Sequence, residues 1–302
     1  MQYAIEAENL VKKYGQSVAL DGVTLKVKQG EIFGFLGPNG AGKSTFVKIL
    51  LNLIFPSQGS SLLFGIPSHT VSARKSVGFL PENMRVYHFL TVEEFCKFQA
   101  DLAGVQRYNV YNDIERCLDL SGFGHERKKR LGTLSKGMLQ KVGIAQAMLG
   151  SPRLLLLDEP TSGLDPVGIK ELRGVLHSLK EKGTTIFLNS HLLSEIERTC
   201  DRIAILHKGK IIKEGCTNEL THQSKHLEVV TEGINETMLN KINSMCSKDL
   251  ETSGNILRIY PRVEEDTLSI HRIIDENGGR LRSLCWKGET LEETFYRLVK
   301  NK

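Results

Sequence analysis

Apolar and polar positions alternate with period two in YAIEAENLV (3–11) and VALDGVTLKV (18–27), the pattern of strands with one buried face. They predict an antiparallel pair at an edge of the fold. EIFGFLG (31–37) is more continuously apolar and runs into glycines; STFVKILLNLIF (44–55) then reads as a helix apolar on nearly every face, hence buried. Residues 87–150 carry helical patterns with few strand signals. LLLLD (154–158), TTIFLNS (184–190) and RIAIL (202–206) are short apolar strands separated by helical stretches, as a parallel sheet requires. KGK (208–210), between RIAIL and IIKEG, predicts a hairpin.

The polar stretch CTNELTHQSKH (216–226) predicts a boundary near 220, giving one domain over 1–220 and a second over 221–302. The second reads strand (227–232), helix (235–245), a short strand near 250, strand (256–260), helix (264–276), strand (281–286) and a final helix. That order, β-α-β-β-α-β, matches a ferredoxin-like module. In the last helix Leu291, Phe295 and Leu298 share a face, and Thr290 with Glu293 predicts a capping box.

Composition narrows the class. The 302 residues, 40% hydrophobic and 25% charged with 8 Pro, are those of a globular chain rather than a disordered one. The 40 Lys and Arg against 35 Asp and Glu give a mild net charge of +5, too dispersed for a nucleic-acid surface; the cluster His125–Arg130 reads as a solvated turn. Six cysteines without a C-x-x-C pair fit reduced thiols in a cytosolic protein rather than zinc ligands. MQYAIEAENLVKKYG is not a secretory signal, and no span has the apolar length of a membrane helix. A role at a membrane therefore needs another chain to cross it.

Chemistry concentrates in two stretches. GPNGAGKS (37–44) fits G-x4-G-K-S/T and stands between a strand and a helix. Its glycines permit a tight loop, its amides at a helix N-terminus face phosphate oxygens, Lys43 neutralises the β and γ phosphates, and Ser44 is placed to ligate magnesium. A glycine-rich turn capping a helix would not need a lysine followed by two hydroxyls. RLLLLDEP (153–160) ends an apolar strand in two carboxylates. Alone, such a pair fits a solvated loop; beside a phosphate loop, Asp158 serves the magnesium shell and Glu159 acts as general base.

The order GPNGAGKST, LSKGM, LLLLDEPTSGLD and LNSH resembles the ATP-binding subunits of ABC transporters across about residues 4–218. The resemblance implies a P-loop NTPase of the ABC ATPase type: a parallel core sheet, an antiparallel β edge and a helical subdomain at about 87–150. It implies two such domains packed head to tail, each ATP held between the phosphate loop of one (Gly37, Pro38, Asn39, Gly40, Ala41, Gly42, Lys43, Ser44, Thr45) and the signature of the other (Ser135, Lys136, Gly137). Tyr14 then resembles the aromatic that stacks on adenine, although a partly buried strand-end tyrosine is the alternative. Asp165 resembles the loop that communicates between sites, and His191 the histidine that contacts the γ phosphate.

Four departures stand out. Lys136 replaces a glycine, Met138 a glutamine and Lys141 an arginine in the family's usual LSGGQ-type segment. A cation at a helix N-terminus opposes the helix dipole unless an anion docks there. In FLPEN (79–83), Glu82 stands where the family places a magnesium-touching glutamine. SKGM, LPE and the C-terminal LEETFYRLV resemble the exporter subgroup with separate ATPase and permease chains. The implied protein is a magnesium-dependent ATPase, homodimeric, peripheral on the inner face of the cell membrane through a permease, without a nucleic-acid partner. The alternative is a soluble ABC-type ATPase acting on ribosomes or nucleic acid; a single cassette without coiled coils or zinc modules speaks against it. The C-terminal domain reads as accessory, either linked to the subgroup's transport role or a dimer-stabilising or regulatory module.

Overall fold

A computed structural model of the chain describes residues 2–124, 126–221, 225–247, 250–262, 266–288 and 290–300. The chain divides into two compact units, Met1–Thr217 and Asn218–Lys302, slightly earlier than the polar stretch suggests. His125, the first residue of the basic cluster, lies outside the described residues; Arg127 and Lys129 pair with Glu115 and Glu126, each at 2.7 Å.

The first unit runs β1 (Tyr3–Tyr14), β2 (Ser17–Lys28), β3 (Ile32–Leu36), α1 (Lys43–Leu50), β4 (Gln58–Leu63), β5 (Ile66–Pro67), α2 (Val71–Arg74), β6 (Val77–Leu80), α3 (Val92–Leu102), α4 (Val110–Leu120), α5 (Lys136–Met148), β7 (Leu154–Asp158), α6 (Pro166–Glu181), β8 (Thr185–Asn189), α7 (Leu193–Thr199), β9 (Arg202–His207) and β10 (Lys210–Cys216), with α8 (Thr217–Thr221) at the boundary. The strands form an antiparallel sheet ordered β2-β1-β4-β5 and a second ordered β10-β9-β3-β8-β7-β6. The second is parallel except for the β9/β10 hairpin.

All five residues of β3, β7 and β8 are buried, which is why their sequences are continuously apolar instead of alternating. Phe33, Phe35, Phe46 and Phe187 pack with Leu10, Leu20 and Leu25 of the antiparallel sheet in one core. Phe35 and Phe46 approach to 5.0 Å between ring centroids, fixing α1 against β3. α1 is shorter than its apolar run predicts: it stops at Leu50, and Asn52 adopts a left-handed φ of 56°. Leu53 and Phe55 consequently fall outside the helix and are 62% and 69% exposed.

Register does the rest of the positioning. β7 and β8 pair in parallel from Leu154↔Thr185 to Asp158↔Asn189, so their C-terminal ends open side by side. In doubly wound sheets ligands bind at that edge. Three helices, α3, α4 and α5, lie between β6 and β7, and α3 begins with a capping box between Thr91 and Glu94.

The second unit runs β11 (Lys225–Glu232), α9 (Glu236–Ser244), β12 (Glu251–Ser253), β13 (Ile256–Ile259), α10 (Asp266–Glu276), β14 (Arg280–Gly288) and α11 (Leu291–Lys300). Its sheet, ordered β12-β13-β11-β14 and antiparallel throughout, has the split β-α-β arrangement of a ferredoxin-like module. One face buries Leu227, Val229, Leu257 and Ile259 under Met238, Ile242, Ile270 and Ile274 of α9 and α10. On β11 and β13 the alternate residues His226 and Arg258 lie toward α11, with Tyr260 just past the end of β13: Arg258 meets Glu293 at 3.2 Å, and the His226 and Tyr260 rings lie 5.7 Å apart. The capping box forms, with the Thr290 amide donating to Glu293 Oε2 at 2.9 Å and the Glu293 amide to Thr290 Oγ1 at 3.2 Å.

Candidate nucleotide site

A cavity of about 610 Å³ opens at the C-terminal ends of the parallel strands. One wall is the loop between β3 and α1: Gly37, Pro38, Asn39, Gly40, Gly42, Lys43, Ser44 and Thr45 all line it. Gly37 is required by close approach, since a Cβ there would stand 2.3 Å from the Leu206 carbonyl oxygen. Gly42 has both reasons: φ is 110°, and a Cβ would stand 2.2 Å from the Ala19 oxygen. Ala41 turns inward, 3% exposed, and its carbonyl accepts the Gly209 amide at 3.0 Å, pinning the loop to the β9/β10 hairpin.

Lys43 arches back over this loop, donating from Nζ to the Gly37 oxygen at 2.7 Å and the Pro38 oxygen at 3.3 Å. Burial lowers its pKa, while Glu159, Asp158 and Glu82 act in the opposite sense. The opposite wall holds those carboxylates with Asn189 and His191. Asp158 accepts Asn189 Nδ2 at 2.5 Å and is bonded by Ser44. Burial first, then the Glu82 and Glu159 charges, raise its pKa against those two hydrogen bonds.

Carboxylates that crowd one another beside a hydroxyl suit a divalent cation. Among the described residues no three or more His, Cys, Asp or Glu form a metal cage. Magnesium takes one or two carboxylates and completes its shell with phosphate and water. Ser44, Asp158 and Glu82 are the residues that would hold it.

Glu159 follows β7 in a left-handed conformation, φ 53°, which costs a side-chain-bearing residue on the order of 1–2 kcal/mol. Its amide donates to the Asn189 oxygen at 2.8 Å, and Oε2 meets His191 Nδ1 at 2.7 Å. The Glu159 side chain is 11% exposed and that of His191 62%, so the pair reaches from the strand ends to the cavity rim. Chemically the site offers a phosphate cradle, a lysine, a carboxylate shell and a carboxylate–imidazole pair able to take a proton from water.

Comparison with known proteins converges on one family. The family described as ABC transporter matches residues 20–162. The chain is 36% identical over 304 residues to the bacitracin transport ATP-binding protein BcrA of Bacillus licheniformis, covering 99% of this chain and 98% of that one. It belongs to the ATP-binding subunits of ABC transporters. The lantibiotic transport ATP-binding protein SrtF of Streptococcus pyogenes is 39% identical over 210 residues, covering 70% of this chain and 90% of its own length. A dimeric ATP-binding cassette in a post-hydrolysis state, bound to ADP and Pi, superposes with a TM-score of 0.65 at 25% identity, over 70% of this chain and 98% of that one. The chain is accordingly an ATP-binding ABC ATPase, and the ribosome or nucleic-acid alternative is not favoured.

Besides Ala41, five residues that the resemblance assigns to the nucleotide or to the link between sites do not line the cavity of this single chain. Tyr14 ends β1, 50% exposed, with Lys12 Nζ 5.0 Å from its ring centroid. Ser135 caps α5 by accepting the Met138 amide at 3.2 Å, as its place before a helix predicts. The aliphatic stem of Lys136 lies across Gly163, where an added Cβ would stand 2.8 Å from its Cγ. Gly137 is equally tight, its ideal Cβ 2.7 Å from the Gly163 oxygen. Asp165 caps α6 by accepting the Gly168 amide at 2.7 Å.

Two further residues enter. Asn189 orients Asp158 and keeps its own Oδ1 buried without a protein partner. Gln140, 7% exposed, donates to the Glu159 and Pro160 carbonyl oxygens at 3.2 and 3.0 Å. The signal for both is polarity where burial is expected: an asparagine closing an apolar strand, and a glutamine on the inner face of a helix.

Proposed function

We propose that this subunit drives outward transport of a peptide antibiotic of the bacitracin or lantibiotic kind, as a homodimer on the inner face of the cell membrane beneath a separate permease. The transport names of BcrA and SrtF support the cargo class, and the near full-length match to BcrA includes the C-terminal unit. The dimeric cassette with ADP and Pi supports the pairing.

The observation that carries the catalytic reading is the Glu159–His191 pair, 2.7 Å apart, in the cavity that also holds Lys43 and Asp158. Lys43 and the loop amides hold the phosphates. Glu159 takes the proton of the attacking water, and His191 orients that carboxylate and the γ phosphate. Ser44, Asp158 and Glu82 would hold magnesium bound with ATP, which would supply neutralising charge at the phosphates. The second side of the phosphates is completed by Ser135, Lys136 and Gly137 of a second copy, with Asp165 linking the sites and Tyr14 under the adenine.

Glu159→Gln tests this reading. A lost general base reduces turnover by roughly 10²–10⁴-fold, while ATP binding persists and light scattering detects an accumulated dimer. Undiminished hydrolysis would falsify the general-base role, and a monomer at saturating ATP would remove the homodimer.

A further inference from the structure

The Gln140 amide is spent on the turn that carries Glu159. Gln140 lies on α5 just beyond its Ser135–Gly137 start, and Nε2 donates to two successive carbonyl oxygens, Glu159 at 3.2 Å and Pro160 at 3.0 Å. Two carbonyls exposed to one buried side chain call for a group with two N–H donors and no charge, which a primary amide supplies. The turn needs such restraint, because Glu159 is held at φ 53°, a region that residues other than Gly, Asn and Asp seldom enter. From the other side its amide is fixed by the Asn189 oxygen at 2.8 Å. β8 and α5 therefore clamp Glu159 through the peptides on either side of it.

α5 touches this segment at a second place. Gly137 and the stem of Lys136 pack against Gly163, in the loop that follows Glu159. The start of α5 and residues 159–163 are thus joined by one pair of hydrogen bonds and one close backbone contact. Packed contacts of this kind do not stretch; a small shift of one partner carries the other.

We propose that Gln140 is a positioning residue for hydrolysis: it holds the Glu159 turn in its left-handed form and ties the Glu159 backbone, from which the carboxylate projects, to the N-terminus of α5. An anion docking at Ser135–Gly137 then adjusts Glu159 of the same chain, so that the phosphate-sensing end of α5 and the water-activating residue respond together. The inference rests on the general-base reading of Glu159.

The test uses the full chain and two variants. Gln140→Met keeps length and removes both donors; Gln140→Glu keeps shape, with one O–H donor when protonated and none when ionised. Steady-state ATP hydrolysis by Gln140→Met is expected to show kcat lowered roughly ten- to a hundredfold by misplacement of the reacting group, with the KM for ATP nearly unchanged. A carboxyl buried between two carbonyl oxygens retains its proton to higher pH, so the kcat deficit of Gln140→Glu relative to the parent should shrink between about pH 8 and about pH 6. Gln140→Met with the parent kcat, or a Gln140→Glu deficit that stays flat with pH, overturns the proposal. If Gln140→Met does not fold, the pH profile of Gln140→Glu decides alone. Glu159→Gln run in parallel separates the two ideas: its undiminished turnover sinks the general base, whereas an inactive Glu159→Gln beside a normal Gln140→Met sinks only the positioning role.

Discussion

The phosphate loop contains two glycines with positive φ whose replacement by alanine should differ sharply. Gly40 stands at φ 81° with nothing within 4 Å of an added Cβ; Gly42 stands at φ 110° with the Ala19 oxygen at 2.2 Å and Leu20 Cδ2 at 2.9 Å. Gly40→Ala incurs only backbone strain, about 1–2 kcal/mol. Gly42→Ala adds overlap with the backbone of β2, which cannot rotate aside, and overpacking of that kind costs a further ~1–3 kcal/mol. For a unit spanning Met1–Thr217 each kcal/mol shifts the unfolding midpoint by about 2–4 °C. The expected gap between the variants is therefore roughly 2–12 °C, with Gly42→Ala the lower. Thermal unfolding without nucleotide measures it. Relief of the overlap would also push the start of α1 away from β2 and misalign the Lys43 and Ser44 amides, so ATP affinity should fall along with stability. Equal midpoints for the two variants would refute the claim that the loop is shaped by contact with β2 rather than by φ alone.

Lys136→Met keeps the stem over Gly163 and removes a cation from the helix N-terminus, so the nucleotide-free chain should gain about 0.3–1 kcal/mol. ATP-driven dimerisation should meanwhile weaken and lose salt sensitivity; light scattering at two ionic strengths checks this, and unchanged dimerisation would make the charge incidental. His226 gives a pH prediction: burial, then the Arg258 charge, hold its folded pKa below the ordinary histidine value of 6.5, against the opposing charges of Glu293, Glu228 and Glu251. A depressed folded pKa means that stability is complete above 6.5 and is lost as pH falls through the folded value. Trp286, the chain's single tryptophan, lies on β14 and reports the unfolding of that unit by fluorescence; His226→Gln should flatten its acid dependence, and an identical slope would reject the assignment.

What could be read from the sequence follows from how local each determinant is. β3, β7 and β8 are legible because burial on both faces makes them unbroken apolar runs. The end of α1 is not, because periodicity continues through Leu53 and Phe55 while the left-handed turn at Asn52 has already redirected the chain. β4 is nearly silent, its QGSSLL exposing Gln58, Gly59 and Ser60. In the site, Lys43, Asp158 and Glu159 announce themselves through residue type and spacing. Asn189 gains its place only from the Asp158↔Asn189 register, and Gln140 only from a helix that packs against a turn far along the chain. Those pairings are tertiary, and no short window of sequence carries them.

The charge arrangement supports the proposed pairing, head to tail, over a side-by-side one. Within one chain, the cavity presents Lys43 and loop amides on one wall and Glu82, Asp158 and Glu159 on the other. Bound Mg–ATP would neutralise much of that carboxylate wall yet retain net negative charge at the γ phosphate, with no lysine or arginine of the cavity lining besides Lys43 to meet it. Lys136 and the amides at the start of α5 are a cationic group with the opposite need, since the helix dipole disfavours a cation there without an anion. The two deficits are complementary, and neither is met within one cavity. An arrangement that brings α5 of one copy to the cavity of the other satisfies both at once and does so twice by symmetry. A side-by-side dimer leaves each Lys136 at an unanswered helix terminus and each γ phosphate half enclosed.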